Sequence, residues 1–171
     1  MAFALRKQGK AAQITGADFS HAMLVRARAK TTSENPVAWI ESDALHLPFP
    51  DHSFDLVSSA FGFRNLADYD AGLREIFRVL RPGGSAWILI NYYRDNPYCH
   101  QWSKLLKIPA HLFSAEEWAG MFRKAGFVNV THRRIVDPTP APEVYSGRWF
   151  KDAAELAAFR REGALLIIGT K

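Results

Sequence analysis

Two aspartates, an arginine–asparagine pair and a histidine set among aromatics are the residues whose types and positions could do chemistry in this chain. Asp18 follows the strand-like stretch "QITGA" and precedes Phe19 and Ser20. A carboxylate just beyond a strand can accept from both hydroxyls of a ribose, whether in a nicotinamide or a sulfonium cofactor. An aspartate ahead of a helix is also a common capping residue. Asp43, in "ESDALHLPFPD", stands where a carboxylate can accept from the exocyclic amine of an adenine, with Ala44 and Leu45 packing on the ring. It can equally close a turn. In "FGFRN", Arg64 is a permanent cation suited to holding a phenolate or orienting a water, and Asn65 can orient a donor or a ligand carboxylate. The structural alternative is an ion pair of Arg64 with Asp68 or Asp70. His100, in "NYYRDNPYCHQW", is a candidate general base. The aromatics around it suit a substrate wall or a surface loop packed from below.

The elements that must position these groups alternate between strand and helix. Phe3 to Gln8 reads as the end of an amphipathic helix stopped by Gly9, and Gln13 to Ala17 as a short strand. Ser20 can cap a helix running to Lys30, with Met23, Leu24 and Ala27 on one face. Val37 to Ser42 and Ser53 to Ala60 are the next strands, the latter apolar enough to be buried on both faces. A helix from about Tyr69 to Leu80 puts Leu73, Ile76, Phe77 and Leu80 at helical spacing, and "RPGG" turns it into the strand "SAWILIN". Ser114 and Glu117 have capping-box spacing at the start of a helix to Ala125, followed by a strand from Phe127 to Arg134. The proline-rich "DPTPAPE", a short helix near Asp152 to Arg160 and a last strand, "ALLIIGT", complete the order. This alternation predicts one α/β domain over residues 1–171, with a mostly parallel doubly wound sheet and an antiparallel pair at one edge.

Composition narrows the partners. The chain carries 22 basic against 17 acidic residues, but the basic ones are scattered in pairs, which argues against a nucleic-acid interface. No apolar run reaches the roughly 18 residues of a membrane span, so stable membrane insertion is not expected. The single cysteine, Cys99, excludes an internal disulfide and fits a cytoplasmic location. Cys99, His100 and His111 do not make a convincing metal site, so none is expected.

"GADFSHAMLVRARAK" and "SDALHLPFPDHSFDLVSSAFGFRNLADYDAGLREIFRVLRPGGSAWILI" closely resemble class I S-adenosylmethionine-dependent methyltransferases. Within that group they look most like the ubiquinone/menaquinone-biosynthesis C-methyltransferases. The resemblance runs from about Gln13 to Ile90 and lies in four motifs in the family's order: an acid-Phe-Ser helix start, Asp-Ala-x-x-Leu-Pro-Phe, Phe-Gly-x-Arg-Asn and Leu-Arg-Pro-Gly-Gly. It implies S-adenosylmethionine as cofactor, a Rossmann-like fold and methyl transfer to a small acceptor, phenolic or quinol-like. It implies that Asp18, with Phe19 beside it, binds the ribose hydroxyls, that Asp43 and Ala44 contact the adenine, and that Ser59 lines the pocket near the methionine part. The family's arginine at the position of Arg64 is suspected of a catalytic role, which Asn65 and His100 would support here. From Asn91 to Trp102 the chain leaves the quinone pattern, which touches acceptor specificity more than methyl transfer.

The resemblance also predicts a Gly-x-Gly loop after a central first strand, and none of the 11 glycines stands two positions from another. The expectation is therefore a methyltransferase domain lacking its central strand and glycine loop. The alternative is a truncated or non-catalytic module that does not bind cofactor alone and self-associates through an unpaired sheet edge. A nicotinamide-dependent oxidoreductase is a distant third, because its Gly-x-Gly-x-x-Gly is equally absent.

Overall fold

The computed structural model describes residues 13–33, 36–60, 62–99, 102, 111–145, 147 and 149–171. The helix expected over Phe3 to Gln8 and the base expected at His100 lie outside them. The chain falls into two compact units, Met1–Pro50 and Asp51–Lys171.

In the first unit, strands β1 (Thr15–Asp18) and β2 (Ala38–Glu41) pair in parallel, from Thr15 opposite Ala38 to Asp18 opposite Glu41. Helix α1 (His21–Arg28) connects them and is shorter than its sequence pattern suggests. Only Leu24 of the expected apolar face is buried, while Met23 and Val25 are about half exposed. Ser20 stands at the N-terminus of α1 without a side-chain capping bond. The unit is organised around the Trp39 indole, whose Nε1 donates to Thr31 Oγ1 at 2.8 Å. Thr31 in turn donates to the Ala27 carbonyl at the end of α1. Gly16 makes this packing possible, since a Cβ there would lie 2.1 Å from the Trp39 ring. Gly16→Ala must displace the indole, and is expected to lower the stability of this unit by about 1–3 kcal/mol. Denaturant unfolding followed by tryptophan fluorescence checks this.

The second unit holds β3 (Phe54–Ala60), α2 (Tyr69–Val79), β4 (Leu80–Ile90), α3 (Ala115–Lys124), β5 (Val128–Ile135), α4 (Ala153–Glu162) and β6 (Ala164–Thr170). Its sheet runs β3-β4-β6-β5. The β3–β4 pair is parallel; β6 is antiparallel to both β4 and β5. The architecture is α/β with a mixed sheet, and the last two strands make the expected antiparallel pair at its edge.

Periodicity explains the packing. From α2, Leu73, Ile76 and Val79 are buried, and from α3, Trp118, Ala119 and Phe122. The core they share with the sheet includes Ala86, Ile88, Ile90, Leu165 and Ile167. Phe77 lies at the margin of that core, edge-on to Phe127 at 5.1 Å. The capping box of α3 forms as its spacing predicts: the Glu117 amide donates to Ser114 Oγ, and the Ser114 amide donates to Glu117 Oε2.

The "RPGG" segment differs from its sequence reading. Leu80 already pairs with Phe54, and pairing resumes with Ser85 opposite Leu56, so Arg81–Gly84 bulges out of one continuous strand. The Gly83 amide donates to the Lys171 carbonyl at 2.8 Å, and the Lys171 amide to that of Gly84 at 2.9 Å. Those latches to the end of β6 hold the bulge. Gly83 has φ +80°, and a Cβ on Gly84 would lie 2.9 Å from the Arg81 carbonyl, so both glycines are sterically required. No helix among the described residues is long and apolar enough to cross a membrane.

Candidate functional site

In the first unit, parallel pairing brings the two acids to adjoining carboxyl ends, where open α/β sheets bind ligands. The Ser42 amide donates to the Asp18 carbonyl at 3.1 Å, which ties the end of β2 to that of β1. Asp18 is half-buried, and its Oδ1 accepts from the Ser20 amide at 2.8 Å. Its second oxygen has no hydrogen-bond partner among the described residues. Asp43 is exposed; its Oδ1 accepts from the Leu45 amide at 2.9 Å, and its Oδ2 lies 3.6 Å from His46 Nδ1. Both acids therefore close turns, as the structural reading anticipated for Asp43. The helix-cap position expected of Asp18 belongs instead to Ser20. Each acid retains a second oxygen beyond its turn. Between them, Ser42 Oγ is buried with no hydrogen-bond partner among the described residues. Ala44 is exposed, and Phe19 projects outward with 77% of its surface accessible.

In the second unit, Ser59 lies on β3 opposite Ile88, and a Cβ at Gly62 would stand 3.5 Å from its hydroxyl. Arg64 and Asn65 form a 3₁₀ turn, Phe63–Asn65, with Phe63 buried beneath it. Arg64 Nη1 donates to Asn91 Oδ1 at 3.2 Å, its guanidinium carbon lies 5.2 Å from the centre of the Tyr92 ring, and its carbonyl accepts from the Tyr69 hydroxyl at 3.0 Å. The carboxylates expected as its structural partners are engaged elsewhere: Asp68 Oδ1 accepts from the Ala71 amide to cap α2, and Asp70 is paired with Lys124. Arg64 and Asn65 line a cavity of about 840 Å³ with Leu66, Tyr69, His111, Phe113, Met121 and Lys124. Gly120 of α3 also lines it, and a Cβ there would meet nothing within 4 Å. The cavity combines a guanidinium, an amide and aromatic walls, a donor set for an oxygen-bearing ring. Its lining also carries the carboxylates of Asp68, Asp70 and Glu117, engaged by the Ala71 amide, Lys124 and Arg94. Ser59 is not among its lining residues.

The aromatic run after β4 serves packing in its described part. Tyr92 sits against Trp102 at 5.5 Å, and Trp102 against Trp149 and Phe159 at 5.6 and 5.3 Å. The Tyr93 hydroxyl donates to the Gly163 carbonyl at 3.3 Å. Cys99 is fully buried in the cluster of Tyr92 and Trp102, and this burial pushes its thiol up to about 12. It is therefore expected not to react with a disulfide reagent at pH 8 until the protein unfolds. Thiol titration across a denaturant series checks this; stoichiometric reaction in buffer contradicts it. Among the described residues, no three His, Cys, Asp or Glu side chains gather as a metal site.

A family described as the methyltransferase domain matches residues 1–88. The chain belongs to the methyltransferase domain family. Among curated relatives, the demethylmenaquinone methyltransferase of Thermus thermophilus is 48% identical over 90 residues, which cover 52% of this chain and 41% of that protein. That of Lactiplantibacillus plantarum is 35% identical over 149 residues, covering 72% of this chain and 63% of the relative. The methyltransferase-domain chain thus spans less than two thirds of the length of these relatives. Among solved structures, a chain of the complex between the Haloferax volcanii Trm112 methyltransferase activator and its methyltransferase is similar with a TM-score of 0.84 and 31% identity. That likeness covers 98% of this chain and 75% of the other.

The sequence reading of this methyltransferase domain missed Asn91 and Tyr92 as partners of Arg64, and the cavity positions Tyr69, His111 and Lys124. Asn91 carried a usable signal: it follows Ile90 at the carboxyl end of β4, the criterion that singled out Asp18. The cavity residues on α3 carried none, because only packing brings that helix beside the turn at Arg64.

Proposed function

We propose that this chain takes part in S-adenosylmethionine-dependent methyl transfer, in the cytoplasm, to a small acceptor of phenolic or quinol-like character. The observation that carries the reading is the placement of Asp18 and Asp43 at adjoining carboxyl ends of parallel strands in a chain of this family. The groups present fit the cofactor's nucleoside. The second oxygen of Asp18 suits a ribose hydroxyl, and the outer oxygen of Asp43 an adenine amine. The buried hydroxyl of Ser42 lacks a partner among the described residues, one that a polar ligand or a water would supply. Phe19 and Ala44 would pack against this part, and Ser59 would stand toward the methionine part.

When bound, S-adenosylmethionine supplies an activated methyl group whose loss leaves a neutral thioether. No metal is required for that chemistry, and the protein's work is alignment and exclusion of water, effects that together can supply about 7–11 kcal/mol. Arg64 would hold the acceptor as an oxyanion, and Asn65 would orient it within the cavity. His100 is proposed as the base that takes the acceptor's proton.

Calorimetric titration of the chain with S-adenosylmethionine tests the nucleoside assignment. Micromolar binding that weakens in Asp18→Ala supports it; binding that is indifferent to Asp18 and Asp43 removes it. The partner reading has its own observation. Strand β3 pairs on one side only among the described strands, and Asp55 is its single charged residue, so its free edge carries little protection against strand addition. We propose self-association through such an edge, which predicts that the apparent mass in sedimentation rises with concentration. A constant monomer mass would reject it.

A further inference from the structure

Arg64 is gripped by two side chains to which no part in the reaction has been given. Asn91 is the first residue after β4, whose last position, Ile90, is 2% exposed and paired with Leu165. Its amide oxygen is therefore carried at the end of a buried, paired strand when it accepts from Arg64 Nη1 at 3.2 Å. Tyr92, one residue on, is 7% exposed and lies under the guanidinium. Behind it stands Trp102, which is itself packed on Trp149 and Phe159. The Tyr69 hydroxyl, donating to the Arg64 carbonyl, fixes the backbone from which the side chain starts.

We infer that Asn91 and Tyr92 are positioning residues, which hold the Arg64 guanidinium where the acceptor's oxygen carries negative charge. This rests on the reading of Arg64 as the cation of the acceptor site. An arginine side chain has several rotatable bonds, and ordering them at the moment of reaction would cost entropy. A sheet-borne amide and an aromatic face remove that freedom in advance. Both groups are neutral, so they orient the cation without cancelling its charge. Burial also pushes the Tyr92 phenol above its ordinary pKa of 10, against the smaller opposing pull of Arg64, so the ring support stays uncharged at neutral pH. A carboxylate at position 91 would give the same geometry but pair with the guanidinium and weaken its hold on a bound anion.

The test uses the full chain and 4-nitrophenol, whose phenolate form absorbs at wavelengths where the phenol does not. In the wild type, the bound probe is expected to ionise about one pH unit lower than free probe, as an adjacent cation requires. Arg64→Met should abolish that shift. Asn91→Leu, which removes the accepting oxygen without adding a charge, and Tyr92→Leu should remove at least half of it, while Tyr92→Phe, which keeps the ring, should retain it. Melting curves accompany each variant. If the buried Tyr92→Leu variant does not fold, the near-isosteric Asn91→Leu decides the question. A shift lost in Arg64→Met but intact in Asn91→Leu overturns the positioning role and leaves the acceptor reading standing. No shift in the wild type, or one untouched by Arg64→Met, overturns the acceptor reading and the inference with it.

Discussion

Arg64→Met is expected to slow methyl transfer about 100- to 1,000-fold, the usual loss when one donor to a developing oxyanion is removed. The acceptor for the measurement is a reduced 1,4-naphthoquinol, chosen for its likeness to the quinone named in the curated relatives. Cofactor affinity should stay unchanged, because Arg64 is assigned to the acceptor and not to the nucleoside. Arg64→Lys should recover only part of the rate, since an ammonium keeps the charge but not the planar fork that reaches Asn91 Oδ1. Methionine retains much of the side-chain bulk over Tyr92, so the loss can be read as electrostatic. A full rate in Arg64→Met would move the oxyanion-holding role elsewhere, and Lys124, which lines the same cavity, would be the next residue to substitute.

Asp18→Ala is expected to weaken S-adenosylmethionine binding by about 10- to 100-fold, the range for losing a charge-assisted hydrogen bond to a ligand hydroxyl. The variant has a structural side effect, because Asp18 Oδ1 also accepts from the Ser20 amide ahead of α1. Asp18→Asn separates the two. Its carbonyl oxygen can still accept from Ser20, while its amide group replaces the oxygen that would face the ribose. Calorimetry on both variants should therefore show weakened binding, with thermal stability lowered in the alanine variant alone. Equal affinity in the asparagine variant and the wild type would show that the carboxylate serves the turn and not a ligand.

Some features were legible because they depend on neighbours in the chain. Ser114 and Glu117 are three residues apart and could meet only across the first turn of α3, so their capping box followed from spacing. Leu73 and Ile76 fell on the buried side of α2 because a 3.6-residue period leaves no other common face. Leu80, read as part of that face, is instead buried as the first residue of β4. The ends of α1 and the role of "RPGG" were not legible for the opposite reason. Met23 has the spacing of a core residue, yet is exposed. Arg81–Gly84 looks like a helix stop, yet it bulges within a strand because Leu80 finds Phe54 and Lys171 latches Gly83 and Gly84.

Sequence alone was enough to set the alternation of strand and helix, the family and the two acids that close adjoining strands. Each of these rests on local pattern or on motifs contiguous in the chain. The partners of Arg64 were decided only in three dimensions. Asp68 and Asp70 stand four and six residues from it, the natural choices by proximity, but helix capping and Lys124 engage them. Asn91 is 27 residues away and reaches Arg64 only because parallel pairing of β3 with β4 sets the two carboxyl ends side by side. Hydrogen-bond partnership is fixed by distance in space, and in a parallel sheet that distance is set by the crossover, which no local stretch of sequence records.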